Sequence, residues 1–320
     1  MRSSVICDLK KPIGRLIFDC SNARMNRGED CSALLDAAME AGINAFDTAR
    51  VYNKSEASLG HWLRRQERSK VVVVTKCCHP GPLGNARVRE KCARADISRS
   101  LDALGTDHTD ILLLHRDDPA LPAEEIVEMM NALVREGLTR AIGVSNWTCA
   151  RIARANAHAE KKGLVPFSVT SPHFSLGEQV RPPWRGCLSL TGEKGKEDLL
   201  FCERTRLPVF AYSSLCGGLF SGKLRADEPD LFRRLPAPAR KGYLCEDNLE
   251  RLRRAEKLAK EKGATVAQIV TAWMFSQPLE LFAVISCTNP ARIAENAAAL
   301  ELSLTKEECD YLALRAPSER

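Results

Sequence analysis

The fold is decided by two short stretches of sequence, VVVVTK at residues 71–76 and ILLLH at residues 111–115. Each is a near-unbroken apolar run that leads to an ionisable side chain, Lys76 in the first and His115 in the second. Such runs are typical of strands that are buried on both faces, as in parallel sheets. Ionisable groups past such strands lie at the carboxyl ends, where barrel enzymes place their active sites. The two stretches therefore predict a parallel sheet with chemistry at one edge.

Strand-like and helical segments alternate along the whole chain. Besides the two runs above, we expect strands at residues 13–19, 44–46, 141–144, 165–170, 208–212 and 281–285. Helical periodicity indicates helices at residues 30–41, 55–65, 86–104, 123–136, 148–162 and 305–314. Eight strands with helices between most of them predict one closed (β/α)8 TIM barrel, a single domain over residues 1–320. A doubly wound sheet is the alternative.

Two connections are too long to be simple turns. Residues 171–193 follow the sixth strand and contain Trp184, and residues 216–247 follow the seventh and are rich in Gly, Pro and Arg. Long structured loops on one face of a compact fold are usually lids or pocket walls, so we expect both at the substrate pocket. Variable surface insertions are the alternative.

The composition is that of a globular enzyme. Hydrophobic residues make up 44% and charged residues 28% of the chain. The net charge of +6 is spread among alternating acidic and basic residues, whereas a nucleic-acid surface needs dense basic clusters interleaved with aromatics. No apolar stretch reaches the ~18 residues of a membrane span. We expect neither nucleic acid nor membrane as a partner.

The cysteines indicate a reducing compartment and no metal site. There are thirteen, an odd number without paired spacing, and no leader precedes the first strand, so a cytoplasmic location is expected. Cys77, Cys78 and His79 are adjacent, but no second Cys or His pair at ligand spacing accompanies them.

Four chemically distinct groups lie at or near the ends of three successive predicted strands: Asp47, Tyr52, Lys76 and His115. A tyrosine hydroxyl has a pKa near ~10, so it donates a proton poorly at neutral pH. A neighbouring ammonium should lower the tyrosine pKa, and a carboxylate would keep that ammonium charged and fixed. A histidine placed opposite could orient a carbonyl oxygen. These residue types predict acid catalysis on a carbonyl group.

The same residues carry a resemblance to the aldo-keto reductases. The segment DTARVY at residues 47–52 is similar to that family's Asp-Thr-Ala-x-x-Tyr signature, and Lys76 and His115 match its other two catalytic positions. The segment GVSN at residues 143–146 resembles the family's nicotinamide-carboxamide segment. The resemblance covers nearly the whole chain. It implies a nicotinamide-dependent reductase of aldehydes or ketones, or the reverse alcohol oxidation, on an eightfold barrel.

The resemblance also implies the cofactor contacts. Ser145, Asn146 and Ser171 match the carboxamide positions, and Tyr212 matches the aromatic surface under the nicotinamide ring. The pyrophosphate and adenosine ends would be met by Ser213, Leu215, Gly217, Gly218, Ser286, Cys287, Thr288, Arg292, Glu295 and Asn296. Arg292 matches an arginine that meets the 2′-phosphate, and a guanidinium fork suits a phosphate better than a hydroxyl. The expected cofactor is therefore NADP(H) rather than NAD(H).

Three positions depart from the family pattern. Ser286 replaces a lysine that many relatives have at the 2′-phosphate. Ser171 replaces a glutamine that commonly holds the carboxamide, so we expect that contact to be weaker, remade by water or supplied by His173. Phe18-Asp19-Cys20 replaces a small Gly-rich turn after the first strand, which alters one wall of the pocket.

Other functions fit the sequence less well. Residues 217–223 have the spacing of a phosphate loop, but Leu224 stands where Ser or Thr would hold magnesium. No strand runs into Gly-x-Gly-x-x-Gly, and no His-x-His or carboxylate cluster of a metal-dependent barrel hydrolase is visible. A cofactor-sensing binding protein, similar to the reductase-like auxiliary subunits of channels, stays an alternative.

The substrate is expected to be a small carbonyl compound or alcohol, with polar or sugar-like compounds as one candidate class. The chain ends soon after the helix at residues 305–314, without the long tail that encloses bulky hydrophobic substrates in some relatives. Trp184, Phe174 and the loop after Tyr212 should then shape the pocket. The sequence does not determine the oligomeric state.

Overall fold

Eight parallel strands form the centre of the computed structural model, which describes residues 3–4, 6, 9 and 11–316. The strands of these residues are β1 (Ser3–Ser4), β2 (Ile13–Gly14), β3 (Leu16–Asp19), β4 (Ala45–Asp47), β5 (Val72–Cys77), β6 (Thr109–Leu114), β7 (Thr139–Ser145), β8 (Phe167–Ser171), β9 (Val209–Ala211) and β10 (Leu281–Ile285). Strands β3 to β10 pair in chain order, and β10 pairs with both β9 and β3. The closed eightfold barrel is therefore confirmed, and the doubly wound sheet is wrong.

Helices surround the barrel. The α-helices of the described residues are α1 (Ala23–Asn26), α2 (Ser32–Glu40), α3 (Ser55–Leu63), α4 (Glu90–Leu104), α5 (Ala123–Arg135), α6 (Cys149–Lys162), α7 (Lys196–Thr205), α8 (Ala237–Tyr243), α9 (Glu246–Lys262), α10 (Val266–Phe275), α11 (Pro290–Ala298) and α12 (Lys306–Leu312). Several end on glycines in the left-handed conformation, such as Gly105 after α4 and Gly163 after α6. A residue without a β-carbon adopts that conformation without strain, so these glycines stop the helices and return the chain to the sheet.

The core has two layers because successive side chains of a strand point to opposite faces. In β5, Val72 and Val74 lie inside the barrel, whereas Val73 packs outward against the helices. Ile111 and Leu113 of β6 also point inward. Since both faces of each strand are buried, the sequence shows unbroken apolar runs rather than alternation.

One expectation on the strands was wrong. Residues 13–19 form two strands: β2 pairs antiparallel with β1 outside the barrel, and only β3 belongs to the barrel. The long connection at residues 216–247 contains 3₁₀ turns at Cys216–Gly218 and Pro229–Arg234, all of α8 and the start of α9. None of the helices in the described part of the chain is long and apolar enough to cross a membrane.

Candidate active site

The barrel brings the four candidate catalytic residues to one end. Asp47 is the last residue of β4, Lys76 is the penultimate residue of β5, and His115 directly follows β6. Tyr52 lies in the turn between β4 and α3. Since parallel strands of a barrel all end on the same face, adjacent strands place these side chains side by side at the barrel mouth.

Lys76 and Asp47 form a buried ion pair. The Nζ atom of Lys76 lies 2.5 Å from Oδ2 of Asp47 and also donates to the carbonyl oxygen of Thr48 at 3.0 Å. Burial raises the pKa of Asp47 to about 6, so the carboxylate stays largely ionised at neutral pH. Burial opposes the charge of Lys76, but the combined effect of Asp47, Tyr52 and Asp19 outweighs it and the pKa of Lys76 is raised. The pair therefore holds a fixed ammonium at the mouth.

Tyr52 lies beside that ammonium, with Nζ of Lys76 5.1 Å from the centre of the phenol ring. Burial raises the pKa of Tyr52 to about 12, while the charge of Lys76 pulls it down. The expectation that the pKa would be lowered overall was wrong, because the cost of taking a phenolate out of water exceeds the attraction of one ammonium. Tyr52 consequently keeps its proton at neutral pH, as a proton donor must.

His115 completes the group as a neutral imidazole. Its ring lies 5.9 Å from the ring of Tyr52, centre to centre, in an edge-to-face arrangement of 87°. Burial lowers the pKa of His115 well below its usual value, and the charges of Lys76 and Arg116 add to this effect. Its Nδ1 is buried without a hydrogen-bond partner among the described residues. A neutral imidazole has one donor nitrogen, which suits it to hold a carbonyl oxygen.

A buried network fixes the segment that carries Tyr52. Glu56 is 1% exposed, pairs with Arg50 at 2.5 Å and accepts from the hydroxyl of Thr75 at 2.7 Å. The hydroxyl of Ser55 donates to the carbonyl oxygen of Cys20 at 2.6 Å. These contacts join the turn after β4 to β5 and to the end of β3. The sequence alone did not indicate this positioning role for Ser55 and Glu56.

The residues predicted to meet the nicotinamide end also lie together. The hydroxyl of Ser145 donates to the carbonyl oxygen of Ser171 at 2.8 Å, and the Asn146 amide donates to Ser145 at 2.8 Å. The hydroxyl of Tyr212 donates to Oδ1 of Asn146 at 2.7 Å. Asn146 has a left-handed backbone with φ of 61°. The network fixes the Tyr212 ring, so a rigid aromatic face at the mouth fits a planar cofactor ring.

That His173 supplies the contact of the missing glutamine stays a prediction, and its Nε2 is buried without a hydrogen-bond partner among the described residues. His173 is fully buried, its Nδ1 lies 2.8 Å from the hydroxyl of Ser189, and its ring lies 6.2 Å from Tyr212 and 5.1 Å from Tyr243. Burial lowers its pKa to about 3, so the ring is neutral. His173 therefore supports Tyr212 from the protein interior. Ser171 contributes through its backbone carbonyl oxygen, which accepts from the hydroxyl of Ser145 and from the backbone N–H of Asn146.

The turn after β9 has the shape of a phosphate cradle. Ser213, Gly217 and Gly218 have positive φ angles of 51°, 62° and 107°. A β-carbon on Gly217 would lie 2.7 Å from that of Ala239, so only glycine fits there. Leu215, also predicted to contact the cofactor, is half-buried in the same turn. Backbone exposed by glycines at a strand end is what a pyrophosphate needs to approach closely.

The six residues predicted for the adenosine end lie directly after β10 and within α11: Ser286, Cys287, Thr288, Arg292, Glu295 and Asn296. Arg292 is 41% exposed and pairs with Glu295 at 3.1 Å. Asn296 is buried and its amide donates to the sulfur of Cys287 at 3.2 Å. Ser286 and Thr288 are exposed. An exposed guanidinium with nearby hydroxyls fits a ribose phosphate, so the residues present are compatible with a dinucleotide.

The two aromatic residues predicted to shape the pocket lie in different environments. Trp184 is 42% exposed and its ring lies 6.2 Å from that of Tyr212, which suits a pocket wall. Phe174 is buried and stacks on Trp273 at 5.9 Å, so its assignment to the substrate pocket was wrong. Phe174 instead lines a cavity of about 500 Å³ away from the tetrad. No cluster of metal-ligating side chains was found among the described residues.

Comparisons with known proteins agree with this geometry. The family model described as the aldo/keto reductase family matches residues 18–313. An aldo-keto reductase of Alternaria alternata is 30% identical over 89% of this chain and 82% of that protein. A putative aryl-alcohol dehydrogenase of Schizosaccharomyces pombe is 28% identical over 89% of this chain and 84% of that protein. A probable voltage-gated potassium channel subunit beta of Oryza sativa is 29% identical over 89% and 86%. With the barrel and this match over most of its length, the chain belongs to the aldo/keto reductase family.

Proposed function

We propose that the chain is an NADP-dependent oxidoreductase that reduces an aldehyde or ketone to an alcohol, or runs the reverse reaction, with Tyr52 as the proton donor. The observation that carries the proposal is the buried pair of Lys76 and Asp47, 2.5 Å apart, beside a protonated tyrosine and a neutral histidine. A buried ammonium beside a proton donor can stabilise the negative charge that proton transfer leaves on that donor.

Each of the four residues has its own role in carbonyl reduction. His115 donates a hydrogen bond to the carbonyl oxygen and fixes its position. A bound nicotinamide cofactor would supply the hydride. As negative charge develops on the oxygen, the hydroxyl proton of Tyr52 moves to it. Lys76 stabilises the phenolate left behind, and Asp47 keeps Lys76 charged and in place. In alcohol oxidation the same groups act in reverse.

For cofactor preference, we expect the wild type to bind NADP(H) more tightly than NAD(H) and Arg292→Ala to shrink that gap. Charge-assisted contacts to a phosphate imply a preference of roughly tenfold or more. Titration of protein fluorescence with both nucleotides measures it. Arg135→Ala, an exposed arginine on α5, is the matched control and should leave the gap unchanged. Equal affinities of the wild type for both nucleotides would rule out the phosphate role of Arg292.

A second prediction concerns residues 217–223, where NADP(H) should slow hydrogen exchange and proteolysis. The three glycines of this stretch, including Gly222, have positive φ angles, and Lys223 is exposed. A turn that closes on the pyrophosphate would make cofactor release slow, a common limit on turnover. Added salt should weaken the protection by screening. Exchange that is identical with and without saturating cofactor would show a surface insertion indifferent to the ligand.

Turnover assays with a panel of candidate substrates would identify the substrate class. Two relatives are named aryl-alcohol dehydrogenases, which suggests aromatic alcohols as one candidate class. Polar or sugar-like carbonyl compounds, expected from the sequence, are another. Assays of nicotinamide absorbance with aldehydes, ketones, oxidised sugars and alcohols would separate these classes. Turnover with at least one class is expected. A purified chain that binds the cofactor but turns over none of them would overturn the proposal.

A cofactor-sensing subunit is the second candidate function. Two relatives are named as voltage-gated potassium channel subunits beta, at 27% and 29% identity. Retention of the tetrad is compatible with either function. A stable complex with a partner protein, together with negligible turnover, would favour the sensing function.

A further inference from the structure

Arg116 lies at the barrel mouth and has no part in the mechanism above. It follows His115 directly and is half-buried. Its Nη1 donates to the carbonyl oxygen of His115 at 2.7 Å, which holds the guanidinium close to the carbonyl-orienting residue. The Cδ atom of Arg116 lies 3.4 Å from the position of a β-carbon on Gly186, in the loop that carries Trp184. The guanidinium is thus set between the end of β6 and the pocket wall.

The charge of Arg116 is not neutralised by the protein. Two other arginines that follow barrel strands have carboxylate partners: Arg50 pairs with Glu56 at 2.5 Å and Arg87 with Asp96 at 2.8 Å. No acidic side chain of the described residues forms an ion pair with Arg116. The next residue, Asp117, pairs with Arg151 at 2.7 Å.

The charge of Arg116 affects the pKa of three nearby side chains. Burial lowers the pKa of His115 and of His79, and the charge of Arg116 lowers both further. Burial raises the pKa of Tyr212, and Arg116 opposes that rise. Partial burial of an unpaired cation has a cost, which a ligand of opposite charge would offset.

We propose that Arg116 binds an anionic oxygen group on the substrate, so that the preferred carbonyl compounds carry a carboxylate or a phosphate a short spacer away from the carbonyl. This inference rests on the proposed function and narrows its substrate class. The planar guanidinium fork pairs with either group through two parallel hydrogen bonds. Because Arg116 neighbours His115, the anion and the carbonyl would lie on adjacent parts of one small molecule. Trp184 and Tyr212, whose rings are 6.2 Å apart, offer apolar contact to the spacer.

Matched pairs of neutral and anionic substrates test the inference. The carboxylate pair is 4-carboxybenzaldehyde and its methyl ester, and the phosphate pair is glyceraldehyde 3-phosphate and glyceraldehyde. In the wild type, kcat/KM should favour the anionic member of at least one pair by about 10- to 100-fold, mainly through KM. Arg116→Gln should remove most of the preference for the anionic substrate. Arg116→Lys should keep part of that preference, because the positive charge remains although the planar guanidinium is lost. The pair that shows the larger ratio identifies the anion.

Arg185→Gln is the matched control, since it removes one positive charge from an exposed position on the same loop and should leave the ratio unchanged. Loss of the ratio in this control would assign the preference to the overall field and overturn the role of Arg116. Wild-type turnover without preference in either pair would also overturn it while leaving the proposed function intact. A fall in NADPH affinity in Arg116→Gln with an unchanged ratio would reassign the residue to the cofactor. Absence of all turnover in the wild type would overturn the proposed function and this inference together.

Discussion

Replacing Tyr52 with phenylalanine is expected to reduce carbonyl reduction by about 10²- to 10⁴-fold, the usual contribution of a positioned general acid. The change removes one hydroxyl and keeps the ring, whose centre lies 5.1 Å from Nζ of Lys76. Cofactor affinity should stay close to that of the wild type, because the lost proton takes no part in nucleotide binding. Steady-state turnover and fluorescence titration of NADPH measure the two quantities separately.

The control for this variant is Tyr243→Phe. Tyr243 is also a buried tyrosine, but its ring lies 5.1 Å from His173 rather than next to Lys76. Tyr243→Phe also removes one hydroxyl, but it should lower turnover far less than Tyr52→Phe does. Near-normal turnover of the Tyr52 variant would eliminate Tyr52 as the acid, whatever the control does.

Replacing Lys76 with methionine should lower turnover to a similar extent and also destabilise the fold. The ammonium that favours the phenolate is lost, and Asp47 is left buried without its partner 2.5 Å away. Removing one member of a buried pair costs about 3–5 kcal/mol of unfolding free energy. Urea unfolding followed by fluorescence, together with the turnover assay, measures both effects.

A second substitution separates catalysis from stability. Adding Asp47→Asn to Lys76→Met removes the stranded carboxylate, so the double variant should recover much of the lost stability. Turnover should stay low, because no charge remains beside Tyr52. A double variant that regains both stability and turnover would show that Lys76 only holds the structure together.

The barrel could be predicted from sequence because its strands are buried on both faces. The run at residues 281–285 was placed without error, since it is continuous and apolar and corresponds to β10. Residues 13–19 were predicted as one strand, although Gly14 and Arg15 interrupt the apolar run where β2 ends and β3 begins. The different pairing partners of β2 and β3 leave no local signal in the sequence. Helix α8 was missed because its stretch is short and rich in Pro, Gly and Arg, so it shows no apolar periodicity.

The identities of the candidate catalytic residues were accessible from sequence, whereas their electrostatics were not. The effect of Lys76 on Tyr52 has the predicted sign, but burial outweighs it, and burial depends on packing between distant segments. The position of Phe174 was misjudged for the same reason, since it is an interior residue. Arg116 was overlooked although an arginine directly after a strand-end histidine is visible in the sequence. What was not visible is its lack of a carboxylate partner.

The central claim is that Tyr52, tuned by Lys76 and Asp47, delivers a proton while a carbonyl compound is reduced. Rapid mixing of NADPH-loaded protein with a reactive aldehyde, followed by nicotinamide absorbance in a single turnover, tests it most directly because product release does not contribute. We expect fast oxidation of the bound NADPH in the wild type and a rate about 10²- to 10⁴-fold slower in Tyr52→Phe. Bound NADPH that stays reduced in the wild type with every aldehyde and ketone, or that is oxidised equally fast in both proteins, would contradict it.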